Sequence, residues 1–273
     1  MFQVFGVRWC GRLGRPRQCA LWQADGRGFA SSSCGGEKEK EKEKDRGQGH
    51  WLSKHFPNQE EWLLKQAKEW WFKGLSGLCN ELSLGENHDL IVEQVRERSA
   101  VLERENGHHI VDGRSRTHLQ QACLALATNK AISPWVGDTD ERLVILSRLL
   151  GKDSEAIFNP LQKVAIMLSR DKMAMISKRL KLLKLDYGQA FDMAIQEEEG
   201  ECTLQVNSCF YARFFQEMGS PELTSVTCCS VDSLWFDSSV IREKARVEFS
   251  RPSSISEGDC KCVLKLVTRQ TEA

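Results

Sequence analysis

No stretch of this chain offers the roughly 18 to 20 uninterrupted apolar residues that a bilayer-spanning helix needs, so the sequence predicts no membrane insertion. Net charge is missing as well: Lys and Arg together number 38 and Asp and Glu together number 38, which excludes a general electrostatic pull toward nucleic acid or an anionic membrane. The N-terminus lacks the continuous apolar segment of a secretory signal. Eleven cysteines in a chain of 273 residues are an odd number, and without secretory context they read as reduced thiols of a soluble intracellular protein rather than a disulfide framework. No Cys-x-x-Cys pair and no His-x-x-x-His pair occurs, so His108, His109 and His118 receive no metal role and no cofactor is assigned.

What is present is unevenly distributed. Residues 1–36 hold Arg8, Arg12, Arg15, Arg17 and Arg27 against Asp25 alone, with Phe2, Phe5, Trp9 and Trp22 interspersed and a run of serines at 31–33. This is transit-peptide composition, and Arg27-Gly28-Phe29 before Ala30-Ser31 resembles a mitochondrial processing site cut after Phe29. Residues 1–36 are therefore expected to be an organelle-targeting leader handled by import machinery, mitochondrial with a plastid destination as the alternative. Glu37 to Asp45 alternates acid and base without an apolar face, so residues 37–54 are expected to form a disordered charged linker.

Residues 55–188 read as a helical region. Asn58 with Glu61 three residues later marks a helix start, and Trp62, Trp70, Trp71, Leu75 and Leu78 follow at near-helical spacing, so all three indoles are expected in the core. A second helix is expected around Leu90 to Leu102, and a third capped by Thr117 with Cys123 in its apolar face. Asp138 with Glu141 caps a fourth, which Gly151 should end. Pro160 should then open one long helix ending before Tyr187-Gly188, with Lys172, Lys178, Arg179, Lys181 and Lys184 as its solvated face.

From residue 189 the period changes to two. Phe191, Met193 and Ile195 alternate with polar residues, Glu197 to Gly200 forms a turn, and Cys202, Leu204 and Val206 alternate again, which predicts a β-hairpin. A short helix from Cys209 to Met218 is capped by Asn207 or Ser208 and stopped by Gly219, and Ser220-Pro221-Glu222 opens another leading to Cys228-Cys229. Ile241 to Phe249 and Cys260 to Val267 complete the pattern as strands. The fold class is thus α+β: a mostly helical body, then a Cys-rich domain over residues 189–269 made of a small antiparallel sheet with two inserted helices.

That last domain carries a pattern. Cys209-x-Tyr211-x-x-Phe214-Phe215-x-x-x-Gly219-x-Pro221-Glu222-Leu223, then Cys229-x-x-Asp232, then Gly258-x-x-x-Cys262 resembles the signature of the L-2-amino-thiazoline-4-carboxylic acid hydrolase family. After Cys262 the chain reads Val263-Leu264 where the family pattern has an acidic residue and an aromatic one. The resemblance implies hydrolytic opening of a cyclic amidine or thiazoline C–N bond in a small carboxylated molecule. The alternative is a non-catalytic module that binds a small ligand or a partner on the same fold.

The residues themselves allow such chemistry. Cys209 in the first turn of a helix is placed where free amides favour a thiolate, which makes it a candidate nucleophile. Asp232 can activate water or hold an amidinium group, and Tyr211 can donate a proton or orient a carboxylate. Cys209 and Asp232 are the candidate catalytic residues, with Tyr211, Glu222, Cys228, Cys229 and Cys262 as candidate substrate-binding residues. Cys209, Cys228 or Cys229, Asp232 and Cys262 could alternatively hold Zn²⁺, and free cysteines also serve simply as small buried hydrophobes.

Overall fold

Aspartates start the helices that frame the protein. In the computed structural model, which describes residues 59–82, 84 and 87–269, Asp112 accepts a hydrogen bond from Ser115 N at 2.6 Å while the Ser115 hydroxyl accepts from Asp112 N at 2.9 Å. This reciprocal cap opens α3, Gly113–Ile132. It replaces the expected cap at Thr117, which lies inside the helix, because the short Asp side chain reaches back to the amides from an extended backbone. Asp138 opens α4 (Thr139–Leu168), accepting from Glu141 N at 3.0 Å, as the sequence predicts. Asp171 opens α5 (Lys172–Tyr187), accepting from Ala174 N at 2.8 Å. Before these come α1 (Gln59–Glu81) and α2 (His88–Glu105). The expected leader and charged linker lie outside the described residues.

Several expectations for the body are corrected. Gly151 does not end α4 and Pro160 does not begin a new helix; both lie within the 30-residue α4. Packing of its flanks, where Ile145, Leu146 and Ile166 are buried, overrides the local preferences of those two residues. The long helix expected from Pro160 to residue 186 instead breaks at Ser169 to Asp171, where the Asp171 cap starts α5. Of the three indoles expected in the core, Trp71 is buried and donates to Thr128 Oγ1 at 3.1 Å, whereas Trp62 and Trp70 are exposed. A stripe with two tryptophans side by side cannot point both inward: Trp71, Leu75 and Leu78 define the buried face. Cys123 is fully buried on α3, as expected. Lys178, Lys181 and Lys184 are exposed, but Arg179 is mostly buried, 3.9 Å from the Asp186 carboxylate.

From Gln66 onward the described residues form one unit, and its second half is the sheet. Strands β1 (Asp192–Glu198) and β2 (Glu201–Ser208) form the expected hairpin, β3 is Val247–Ser253 and β4 is Cys262–Thr268, in the antiparallel order β1-β2-β4-β3. Alternation places Cys202, Leu204 and Val206 of β2 beside Leu266, Leu264 and Cys262 of β4 on the buried face. Helix α5 lies against β1 and β2. Its end is fixed by Gly188, whose φ of +65° and lack of a side chain let Asp112 come close enough to accept from Gln189 N at 2.7 Å. A Cβ at Gly188 would stand 2.5 Å from Asp112 Oδ2.

Between β2 and β3 the chain is helical. Helix α6 is Phe210–Glu217, with Cys209 as its cap residue rather than its first turn. Gly219 ends it in the left-handed region at φ +66°, with Ser220 N reaching back to Phe215 O at 2.8 Å, a closed helix terminus that Pro221 then prevents from continuing. The next helix begins at Leu223, passes through a π-helical turn at Ser225–Cys229 and continues as α7, Ser230–Phe236. The strand expected over Ile241 to Phe249 is half wrong: Val240–Ala245 is a π-helical turn that ends at left-handed Arg246, and only then does β3 start. Ile241 and Ala245, both buried four residues apart, carry the helical period that the strand reading overlooked.

Candidate active site

Three segments of the C-terminal part converge beside the end of α5. Cys209 follows β2 directly, Cys228, Cys229 and Asp232 come from the next helical segment, and Cys262 begins β4; all five line one small cavity with Tyr187, Thr224 and Ile255. The remaining wall is apolar, including Leu183, Phe191, Met193, Leu204 and Leu264. The space open to the centre of a water molecule is ≈ 20 Å³, room for about one water. The wide π turn, in which the helix takes up an extra residue, ends at Cys229 and puts Cys228, Cys229 and Asp232 on the cavity wall together.

The thiols are free and chemically unlike one another. Cys209 Sγ lies 4.0 Å from Cys228 Sγ, and the contact holds the Cys209 thiol below its ordinary range against the opposing effect of burial, helped by the amides of Tyr211 and Ala212 at the start of α6. Cys228 is driven well up by its contacts with the Cys209 and Cys229 sulfurs and by burial. Cys229 is pulled down to about 6 by Cys228, by the Ser256 and Ser254 hydroxyls at 3.4 and 3.9 Å, and by the charge of Arg251. Burial pushes Cys262 up to about 11, even though its sulfur accepts from Ile255 N at 3.2 Å. Gly258, left-handed at φ +99°, turns the intervening loop so that it presents Ser254 and Ser256 to Cys229.

Asp232 is 7% exposed, and burial raises its carboxyl to about 7 although Arg251 Nη2, at 3.1 Å from Oδ2, favours the ionised form. Tyr187 donates to the other oxygen at 3.1 Å. A carboxyl titrating near neutrality beside a low thiol can give and take a proton in one cycle. Among the described residues the thiols and Asp232 do not gather in threes within 4.8 Å of one another, so the Zn²⁺ alternative finds no ready ligand set here.

Two expected site residues stand elsewhere. Tyr211 is buried but faces α3, where its hydroxyl donates to Gln121 Oε1 at 2.9 Å and meets His118 Nδ1 at 3.0 Å. His118, boxed by the rings of Tyr187, Phe191 and Tyr211, is held neutral, its value lowered to about 3 mainly by burial. Glu222 is half-exposed and outside the cavity lining, at the entry to the π-containing helix. Sequence reading missed Arg251, Tyr187, Ser254 and Ser256. The available signal for Arg251 was its phase: it shares the inward-facing set of β3 with Val247 and Phe249, where an unpaired charge would be costly.

Comparison with known proteins bears on this site. Residues 145–266 match the model of a family described as L-2-amino-thiazoline-4-carboxylic acid hydrolase. The match extends beyond the signature into α4 and α5 and contains every residue that lines the cavity. No curated protein and no solved structure matches the chain.

Proposed function

We propose, from the match of residues 145–266 to the model of the L-2-amino-thiazoline-4-carboxylic acid hydrolase family, that this chain adds water to the amidine carbon of a small, carboxylated cyclic amidine and so opens its ring. The observation that carries this reading is the convergence of two low thiols, Cys209 and Cys229, with the near-neutral carboxyl of Asp232 on one cavity built within the matched segment.

Cys229 is the assigned nucleophile, because it has both a cationic neighbour and two hydroxyl donors. Its thiolate adds to the amidine carbon, a ring bond to that carbon breaks, and the departing ring atom takes the proton of Asp232. Water then adds to the same carbon, the Asp232 carboxylate accepts its proton, and the thiolate leaves. The sum is substrate plus one water giving a carbamoyl-cysteine. Expulsion of the ring nitrogen, the C–N opening, yields a new amine and no new thiol; expulsion of the ring sulfur yields one thiol per turnover at identical mass.

The test is incubation of the full chain with 2-aminothiazoline-4-carboxylate and related cyclic amidines, followed by mass detection and thiol titration. Cys229→Ser is expected to abolish turnover. Turnover retained in Cys229→Ser and lost in Cys209→Ser moves the nucleophile to Cys209. The ≈ 20 Å³ space, room for about one water, favours a second reading in which these side chains only pack; no turnover, with both variants losing stability in step, supports that reading. The leader composition supports a mitochondrial site of action, and a reporter fused to residues 1–50 that stays diffuse in the cytosol would remove it.

A further inference from the structure

A second cluster of metal-ligating side chains lies outside the cavity. The short turn Gly107–His109 ends α2, and its two histidines meet Glu217 at the last position of α6. His109 Nε2 stands 3.1 Å from Glu217 Oε2, and one ligand atom from each of His108, His109 and Glu217 falls within 4.8 Å of the other two. The contact is not an aligned hydrogen bond: His109 Nε2 is buried and without a hydrogen-bond partner, although the carboxylate oxygen is so near. A buried imidazole nitrogen left unpaired beside a carboxylate calls for something between them.

Metal geometry matches that gap. Ligand bonds of about 2.0 to 2.2 Å in a tetrahedral set put neighbouring ligand atoms roughly 3.3 to 3.5 Å apart, close to the His109–Glu217 separation. His108, its ring tilted by 35° to that of His109 with centroids 4.2 Å apart, brings a third ligand atom within 4.8 Å of the other two, and its exposure leaves the fourth position to solvent. His109 itself is fixed in orientation by edge contacts to Phe210 and Phe214, at 6.0 and 5.7 Å between ring centroids. Arg213, one turn earlier on α6 and bonded to Ala190 O at 2.9 Å, is the nearby charge that opposes a cation.

We propose that His108, His109 and Glu217 form a binding site for a borderline divalent cation of the Zn²⁺ class, which ties the turn after α2 to the helix that carries Cys209. Two imidazoles and one carboxylate suit Zn²⁺, Ni²⁺ or Cu²⁺ rather than Mg²⁺ or Ca²⁺, which take oxygen ligands. The ion closes a link between the turn after α2 and the helix whose cap residue, Cys209, lines the cavity. Its role is positional, since none of the three ligands lines that cavity.

The experiment is titration of the metal-free, reduced full chain with Co²⁺, read by visible absorption and followed by competition with Zn²⁺. One equivalent is expected to give d–d bands without sulfur-to-cobalt charge transfer. His108→Gln, His109→Gln and Glu217→Gln are each expected to weaken binding at least about tenfold. His108 and Glu217 are exposed, so those two variants leave the fold intact, as circular dichroism will verify. Equal affinity in all three variants overturns the proposal. So does a sulfur charge-transfer band that disappears in Cys229→Ser, which would put the ion in the thiol cluster.

Discussion

Cys123 and Cys229 are the same side chain at similar depth, 0% and 8% exposed, and their chemistry diverges completely. On α3, among Ala122, Leu124 and Leu126, burial drives the Cys123 thiol up to about 12. In the sheet domain Cys229 is held down at about 6 by Cys228, Ser256, Arg251 and Ser254. Burial alone makes a cysteine an inert filler; a neighbouring donor thiol, hydroxyls and a guanidinium make it a thiolate at neutral pH. The contrast separates a thiol placed for packing from one whose surroundings favour the thiolate.

The largest expected effect is on activity. Asp232→Asn should lower ring-opening turnover by about 10²-fold or more, the usual contribution of a positioned acid–base group, whereas Cys123→Ala should leave it intact. Loss of turnover in both, measured under conditions where each variant is folded, would erase the distinction between the two regions. The next effect is on acid stability. His118 is neutral when folded, with its value lowered from 6.5 to about 3, so the unfolded chain binds more protons between those limits. Stability should therefore fall as pH drops from about 6.5 towards 3, by on the order of 5 kcal/mol at full protonation. Denaturant unfolding across that range checks it, and His118→Gln should flatten the slope.

Asp232 should act in the opposite sense. Its folded value is raised to about 7, so its contribution to stability is present below about 4, the unfolded range, and is lost as pH rises through about 7. Asp232→Asn should remove that decline, which the same unfolding series would detect. The smallest effect is packing: Cys123→Ala should cost about 1 to 2 kcal/mol in denaturant unfolding, since it removes one buried sulfur. A cost near zero would mean that α3 is less tightly packed than its burial indicates.

Local features of this architecture were legible in the sequence where they were periodic. The alternation of Met193 and Ile195 with Cys202, Leu204 and Val206 is the hairpin, and Asp138 with Glu141 is the start of α4. Capping by Asp112 was missed because Thr117 offered a competing local signal; the reciprocal bonds with Ser115 and the contact to Gln189 beyond the end of α5 favour Asp112. Gly151 and Pro160 mislead for the same reason: their preferences are small against the burial of α4's flanks. In the cavity, the cysteines and Asp232 were visible as a spaced pattern. Tyr187 and Arg251, which grip the two oxygens of Asp232, were not, because no local rule links residues 45 and 19 positions away.

The central claim is that the low thiols and Asp232 form a reactive centre, and cysteine-resolved alkylation of the full chain tests it most directly. With iodoacetamide at increasing pH, and with mass mapping of each site, Cys229 should label with an inflection near 6 while Cys123 stays unlabelled through neutral pH. Excess 2-aminothiazoline-4-carboxylate should slow labelling of Cys229. Labelling of Cys229 that begins only above the ordinary thiol range, and is indifferent to that compound, would contradict the account.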